Sequence, residues 1–269
     1  MVDSITVKKG IIRFEDGELF DEEDQIVTEY PLTIILNNNE FATMVCTPSE
    51  LEELVIGFLA SEGVIRFRDE IKNLHIDEGG GYAYVETTRD VITSQEYYTK
   101  RFIGSCCGKG RQFYFVNDAK TAKTSTSTIT LTPEECITLM NEMQNSSLVF
   151  KDTGGVHNAA LCTSNEIIVN RTDIGRHNAL DKIYGYCLSN KIPVRNKVIV
   201  FSGRISSEVL LKAAKIGVGI VLSKSAPTDL AIKMADELNI TAVGFIRGGK
   251  LNVYSHPERI VQNSFEQTL

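Results

Sequence analysis

Two adjacent cysteines, Cys106 and Cys107, lie in the segment Gly104–Arg111, which also holds three glycines and two cations. Nearby positive charge stabilises a thiolate, so we expect the pKa of these thiols to lie below its usual range. Glycine lets backbone amides come close to a sulfur atom or a phosphate. A turn with two incidental cysteines is the plain alternative, but a basic, glycine-rich loop is a poor way to fill a core. The segment therefore favours thiol chemistry.

The spacing around these thiols argues against several familiar kinds of site. A Cys-x5-Arg phosphatase loop would need arginine where Gln112–Phe113 stands, and a Cys-x-x-Cys redox pair fails because Gly110 occupies the second position. A zinc deaminase would need glutamate two residues after His157, where Ala159 stands. With no second cysteine or histidine cluster at ligand spacing, we expect no structural metal.

Two histidines in polar, glycine-containing segments are further candidates. His157 follows Gly154–Val156, and His177 follows Arg176. An acid-base role and a structural role at a helix start are about equally supported for both. Asp173 is placed to cap the helix that starts near Arg176, and Asp181 lies four residues after His177, where it could orient the ring.

Three loops combine small residues with cations and suit an anionic ligand. Ser202–Glu208 places Arg204 among serines at a helix start, where free amides and the helix dipole attract phosphate. Ser223–Ser225 has a similar composition, and Phe245–Lys250 contains two cations and a Gly-Gly turn. The structural alternatives are helix capping by serine and a glycine hairpin. The first two loops favour anion binding, and a phosphate contact is plausible for the third.

Composition limits the classes of protein. The 269 residues are 42% hydrophobic with a net charge of −7, which argues against a general nucleic-acid binder. No apolar run approaches the roughly 18 residues of a membrane span, and the acidic stretch Met1–Glu23 does not resemble a secretory signal. We therefore expect a cytoplasmic protein whose six cysteines stay reduced, four of them as core residues.

The chain is expected to hold two regions. Residues 1–118 are predicted as a β-rich region that ends in the cysteine loop, with an amphipathic helix behind a cap at Thr47–Glu50. Residues 119–130, with seven Thr or Ser, are typical of a linker. Residues 131–269 are predicted as an α/β domain. There the apolar strands 197–202, 219–223 and 241–246 alternate with helices, so the three candidate anion loops should meet at one edge of a parallel sheet.

Several long segments resemble the formate dehydrogenase accessory sulfurtransferases of the FdhD/NarQ family. The resemblance is carried by Gly154–Ala160, Asp173–Lys182, Ser202–Glu208 and Tyr254–Arg259, with weaker support from Glu29–Leu32. It implies an α/β fold, a cytidine deaminase-like three-layer sandwich without zinc, with an additional N-terminal β-rich subdomain. It also implies a sulfurtransferase that takes sulfur from a cysteine desulfurase as a persulfide.

The resemblance implies specific roles for residues of this chain. Cys107 matches the persulfide cysteine. The segment Phe245, Ile246, Arg247, Gly248, Gly249 and Lys250 matches the part that contacts bis-molybdopterin guanine dinucleotide, the molybdenum cofactor destined for formate dehydrogenase. Together with Arg204, these residues are the predicted binding site for that guanine-nucleotide-containing cofactor. A homodimer is implied as well.

One departure from the family leaves a question open. Many members carry Cys-Gly-x-Cys, whereas here Gly110 stands at the later position and Cys106 is the extra thiol. Whether Cys106 shares the persulfide is not decided by the sequence. Two alternatives to a sulfurtransferase are kept: a non-catalytic carrier of the molybdenum cofactor and, less favoured, a generic thiol hydrolase.

Overall fold

The computed structural model describes residues 4–88, 102–103 and 122–262, which form a mixed α/β protein with several sheets. The strands are β1 Thr6–Glu15, β2 Glu18–Val27, β3 Tyr30–Leu36, β4 Asn39–Cys46, β5 Ile71–Asp77, β6 Tyr82–Thr87, β7 Phe102–Ile103, β8 His157–Cys162, β9 Ile167–Asp173, β10 Val198–Phe201, β11 Ile220–Ser223, β12 Thr241–Arg247 and β13 Lys250–Val253. The helices are α1 Leu51–Ser61, α2 Pro133–Ser146, α3 Leu148–Thr153, α4 Arg176–Ser189, α5 Ser207–Ile216 and α6 Asp229–Glu237.

The N-terminal half contains a long hairpin and a sheet. Strands β1 and β2 pair with each other as a two-stranded antiparallel sheet. The second sheet has the order β5-β6-β3-β4-β7, with β3–β6 and β4–β7 parallel and the other pairs antiparallel. Alternate residues of β3 are buried and pack against the apolar side of α1, as the two-residue repeat of a strand requires. The described residues of this half form seven strands and one α-helix.

The C-terminal sheet has the order β13-β12-β11-β10-β8-β9. Its middle strands β10, β11 and β12 are parallel, and β8, β9 and β13 are antiparallel to their neighbours. Apolar residues of α4, α5 and α6 cover one face, and those of α2 cover the other. Because both faces are covered, β10 and β11 are buried along their whole length, which explains their continuous apolar sequences.

The two halves meet where α1 crosses α4 at backbone distance. A Cβ atom added at Gly57 would lie 1.8 Å from the backbone oxygen of Asp181, and one at Gly185 would lie 1.9 Å from that of Glu53. Beside this crossing, Arg171 donates two hydrogen bonds to the carboxylate of Glu53, at 2.6 and 2.8 Å. The N-terminal sheet is thus held against the C-terminal one by a close contact between two helices, with the Arg171–Glu53 hydrogen bonds beside it.

Several local predictions need correction. The side chains of Thr47–Glu50 do not cap α1: its N-cap is Glu50, in a left-handed conformation with φ 45° and no side-chain cap hydrogen bond. Strand β8 and the short helix α3 were not predicted. Residues 122–130 form no helix or strand, yet Ser125 and Ser127 are buried against the C-terminal half. The limits of the two predicted domains stay predictions.

No helix in the part of the chain that the structure describes is both long enough and apolar enough to cross a membrane.

Candidate functional site

The carboxyl ends of the parallel strands form one continuous polar edge, as the sequence predicts. Ser223 donates its hydroxyl to the carbonyl of Gly203 at 2.7 Å, and Ser225 donates to the carbonyl of Ser202 at 3.3 Å. The backbone amide of Phe245 donates to the carbonyl of Ser225 at 3.3 Å. These bonds join the three candidate loops into one surface, which we call the strand-end site.

Arg204 lies exposed at this site, between the end of β10 and the start of α5. The hydroxyl of Ser206 accepts a hydrogen bond from the amide of Val209, so one serine of this loop does cap the helix. Because its side chain is exposed, Arg204 can contact an anionic ligand at this site.

The segment Phe245–Lys250 crosses the site in a strained conformation. Phe245 has φ 53°, a region that a non-glycine aromatic residue rarely occupies, and the pairing of β12 with β13 shifts register here. The guanidinium of Arg247 lies over the Phe245 ring, 5.2 Å from its centroid. Ile246 is buried in the core, so this residue offers only its backbone to a ligand. Backbone strain of this kind is concentrated at binding sites.

The glycines of this segment make the turn into β13. Gly248 and Gly249 have φ 57° and 72°, so both need the left-handed conformation, and the predicted glycine hairpin is confirmed. The turn also exposes Lys250. Lys224, from the loop after β11, instead donates to the side chain of Gln144 on α2 at 3.2 Å. The exposed cations at this edge suit a ligand with several phosphates.

His157 lies next to the strand-end site, where β8 begins beside the end of β10. Its ring stacks on Phe201, with centroids 6.5 Å apart, and its Nδ1 would lie 3.5 Å from a Cβ at Gly203. Burial lowers the pKa of His157 below its ordinary value, and the positive charge of Arg176 adds to this effect. The imidazole is therefore neutral at pH 7 and can accept or donate one hydrogen bond to a ligand.

His177 pairs with a different acid from the one the sequence suggested. Its Nε2 lies 3.0 Å from Oε2 of Glu208 on α5. Asp181 instead accepts hydrogen bonds from Ser61 Oγ, at 2.6 Å, and from Lys212 Nζ. The prediction that Asp181 orients His177 is therefore wrong: Asp181 is buried and serves the contact between the two halves.

Asp173 supports the loop before α4, close to the role predicted for it. One carboxylate oxygen accepts from the amide of Gly175, the N-cap residue, at 2.8 Å, and from the Asn178 side chain at 2.9 Å. The other oxygen accepts from the amide and the hydroxyl of Thr47. This carboxylate thus joins the start of α4 to the end of β4 in the N-terminal sheet.

A fully buried lysine completes this cluster and was missed from sequence. Lys182 Nζ lies 2.9 Å from Asp173 Oδ2 and donates to Thr47 Oγ1 at 2.7 Å and to the Thr172 carbonyl at 3.0 Å. Its side chain has no exposed surface. The spacing of nine residues between Asp173 and Lys182 carries no signal of a pair. Only the fold brings them together.

Four of the six cysteines are buried thiols, as predicted. They are Cys46, Cys136, Cys162 and Cys187. Burial raises the pKa of Cys136, Cys162 and Cys187 to about 12, and burial also raises the pKa of Cys46. Since the thiolate is the nucleophile, these four are inert at pH 7.

The predicted persulfide residue, Cys107, and its neighbour Cys106 lie outside the described residues. The structure brings Arg204 and Phe245–Lys250 together at the strand-end site. Their role as cofactor ligands stays a prediction. Within the described ranges, no cluster of three or more His, Cys, Asp or Glu side chains is arranged to hold a metal ion.

The model of the FdhD/NarQ family matches residues 27–261. The chain therefore belongs to this family, which confirms the resemblance seen in its sequence.

Named relatives and one solved structure are similar over nearly the whole chain. The sulfur carrier protein FdhD of Bacillus subtilis (strain 168) is 64% identical over 97% of this chain and 99% of its own length. The protein of that name from Staphylococcus aureus (strain MRSA252) is 59% identical over 96% and 98%. A crystal structure described as that of a formate dehydrogenase accessory protein from Desulfotalea psychrophila is 25% identical, with a TM-score of 0.79 over 96% of this chain and 100% of that one.

Proposed function

We propose that this protein is a sulfur carrier for formate dehydrogenase: it accepts sulfur as a persulfide on Cys107 and delivers it to the molybdenum cofactor. The observation that carries the proposal is family membership over residues 27–261, together with relatives named sulfur carrier proteins. The burial of four thiols supports it further, because it leaves only Cys106 and Cys107 as candidate sulfur acceptors.

The first step is an exchange at sulfur. The Cys107 thiolate attacks the terminal sulfur of a persulfide on a cysteine desulfurase, a new S–S bond forms, and the donor's S–S bond breaks. The electron pair of the broken bond returns to the donor cysteine as its thiolate, so no external oxidant or reductant is needed. Release of this sulfur as a sulfide ligand takes two electrons. A thiol reductant supplies them by forming a disulfide with Cys107.

The strand-end site suits the acceptor, bis-molybdopterin guanine dinucleotide, which enters as a substrate with several phosphates. Arg204, Arg247 and Lys250 are exposed cations at this edge, and the Arg247 guanidinium over the Phe245 ring forms a flat cationic surface on which a base can stack. The neutral His157 beside them can accept or donate one hydrogen bond. A polyanion of this size therefore finds complementary charge at this edge and a flat surface for its base.

Three further features belong to the same proposal. The layers around the C-terminal sheet are taken to be cytidine deaminase-like, the protein to act in the cytoplasm as a homodimer, and formate dehydrogenase to receive the finished cofactor. The support for these features is the family resemblance of the sequence.

The proposal is tested by intact-protein mass spectrometry after incubation with a purified cysteine desulfurase and cysteine, with peptide mapping of the adduct. We expect a gain of one sulfur atom on the peptide that contains Cys107. Cys107→Ala should abolish the gain, and Cys136→Ala serves as a control that changes a buried thiol. Uptake of sulfur by Cys107→Ala would refute the assignment of this residue. Full rescue of formate dehydrogenase by Cys106→Ser/Cys107→Ser would instead favour a non-catalytic carrier.

A further inference from the structure

The β1–β2 hairpin contributes no residue to the strand-end site, and it has an exposed surface of its own. Each strand has ten residues, and no third strand pairs with them among the described residues. An isolated two-stranded hairpin is marginally stable in water, so one of this length usually gains stability from a further contact. The hairpin is thus a candidate interaction surface.

Large apolar side chains are exposed near the turn of this hairpin. Ile12, Phe14 and Leu19 are 69%, 69% and 70% exposed. Phe14 lies directly opposite Leu19, and Ile12 lies two residues from Phe14, so all three project from the same face of the hairpin. We call these three residues the hairpin tip. Apolar side chains clustered on one face, unlike single exposed ones, are typical of protein contacts.

The charge of the hairpin defines the chemistry of its partner. Thr6–Val27 contains seven acids and three bases, a net charge of −4. Two cross-strand ion pairs, Lys8–Glu23 at 3.5 Å and Arg13–Glu22 at 2.9 Å, already use two of the bases. A second hairpin of the same charge would be repelled. The complementary surface is therefore basic around an apolar patch.

The face that carries the hairpin tip also leads to the strand-end site. Val27, at the base of β2, projects from this same face, and its Cγ1 lies 2.9 Å from where a Cβ at Gly155 would be. Gly155 is two residues before His157. From Val27 to Leu19 the strand extends about 26 Å, so only a macromolecule could contact the tip and the site together.

We propose that the β1–β2 hairpin is the docking arm for the protein that donates sulfur, a persulfide-carrying protein with a basic surface around an apolar patch. The inference rests on the proposed function, in which the sulfur acceptor is a small cofactor and the donor is a protein. A cofactor needs only the strand-end site. A protein donor needs, in addition, a surface that holds it while its persulfide is transferred to Cys107.

The test compares a protein donor with a small one. The probes are a purified cysteine desulfurase with cysteine, and inorganic polysulfide, which needs no docking surface. The tip variant is Ile12→Ser/Phe14→Ser/Leu19→Ser, and the matched control is Phe67→Ser/Leu230→Ser, which removes exposed apolar side chains elsewhere. A second variant, Asp21→Lys/Glu23→Lys, reverses charge on the same face without removing apolar surface.

The measured quantity is the initial rate of persulfide formation on Cys107 against acceptor concentration. With the desulfurase, we expect the half-saturating concentration of the tip variant to rise roughly tenfold or more, as for loss of interface hot-spot residues. The half-saturating concentration of the charge-reversed variant should rise too. Unlike that of the native protein, it should no longer depend on salt concentration. Polysulfide should load the native chain, the control and both variants at equal rates.

Each outcome separates the two proposals. If the native protein gains no sulfur on Cys107 from either donor, the proposed function fails. If it does gain sulfur and both hairpin variants are loaded by the desulfurase at native rates, the docking arm is refuted. Sedimentation velocity settles the remaining alternative: loss of a native dimer in the tip variant, with unchanged sulfur uptake, would make the hairpin a self-association surface and overturn the inference.

Discussion

The contact between α1 and α4 allows one substitution to be predicted in detail, Gly57→Ala. Gly57 lies inside α1, where alanine is intrinsically favoured over glycine by about 1 kcal/mol. Helix propensity alone therefore predicts a more stable protein. The structure predicts the opposite, because the new methyl group would meet the backbone of α4.

The magnitude follows from the distances. The added Cβ would lie 1.8 Å from the oxygen of Asp181 and 2.6 Å from its carbon, whereas ordinary contacts begin at 3.4 Å. The two helices must then separate by roughly 1.5 Å, since the atoms involved belong to the backbone and cannot rotate away. Such a shift disturbs the 2.6 Å hydrogen bond from Ser61 to Asp181 and the Arg171–Glu53 ion pair. We expect a loss of about 3 kcal/mol in the free energy of unfolding.

The assay is urea unfolding followed by circular dichroism at constant pH. Gly185→Ala, on the other side of the contact, should behave alike. Gly10→Ala is the control, because nothing lies within 4 Å of its added Cβ, and its unfolding free energy should change by less than about 1 kcal/mol. A Gly57→Ala protein as stable as the native one would show that α1 and α4 do not meet at backbone distance, and it would refute the predicted destabilisation.

Two further predictions concern buried charge and pH. Lys182→Met leaves Asp173 without its cation and should cost about 3–5 kcal/mol in urea unfolding; adding Asp173→Asn should recover part of this, and a double variant no more stable than the single one would contradict the pairing. Because burial lowers the pKa of His157 below 6.5, its contribution to stability is present above that pH and is lost as pH falls below it. The unfolding free energy of His157→Gln should therefore decline less between pH 6.5 and 5 than that of the native protein, and parallel curves would contradict this.

The sequence predicts the parallel part of the fold well. Strands predicted at 197–202, 219–223 and 241–246 are found at Val198–Phe201, Ile220–Ser223 and Thr241–Arg247, with helices between them. Strands buried on both faces are continuously apolar, and the helices that cover them are apolar on one side. The hydrophobic pattern of the sequence therefore predicts the alternation of strands and helices. The convergence of the three candidate loops follows from that topology alone.

Contacts between distant segments could not be predicted. Thr47 hydrogen-bonds Asp173 across 126 residues, and this contact explains why its side chain does not cap α1. Asp181 matches the spacing of a partner for His177, yet the crossing of α1 and α4 turns it toward Ser61. Spacing along one helix shows which residues are near each other, but packing decides which pair forms.

The strand-end site likewise has some features that the local sequence predicts and others that it does not. The exposure of Arg204 and the turn at Gly248–Gly249 follow from local sequence. The left-handed backbone of Phe245 and the position of Arg247 over its ring have no local signal, because both result from the register shift between β12 and β13. The residue types exposed at this edge could be predicted from the sequence, whereas the backbone conformation of Phe245 could not.

The four buried cysteines have a consequence for the accuracy of a sulfur carrier. Polysulfides and persulfides react with any accessible thiolate, so a carrier with several reactive thiols would hold its cargo at mixed positions and in variable number. By keeping Cys46, Cys136, Cys162 and Cys187 protonated and enclosed, the fold withholds four of the six thiols from reaction with such sulfur. Folding thus limits how many sulfur atoms one molecule carries, and partial unfolding would lead to misplaced cargo.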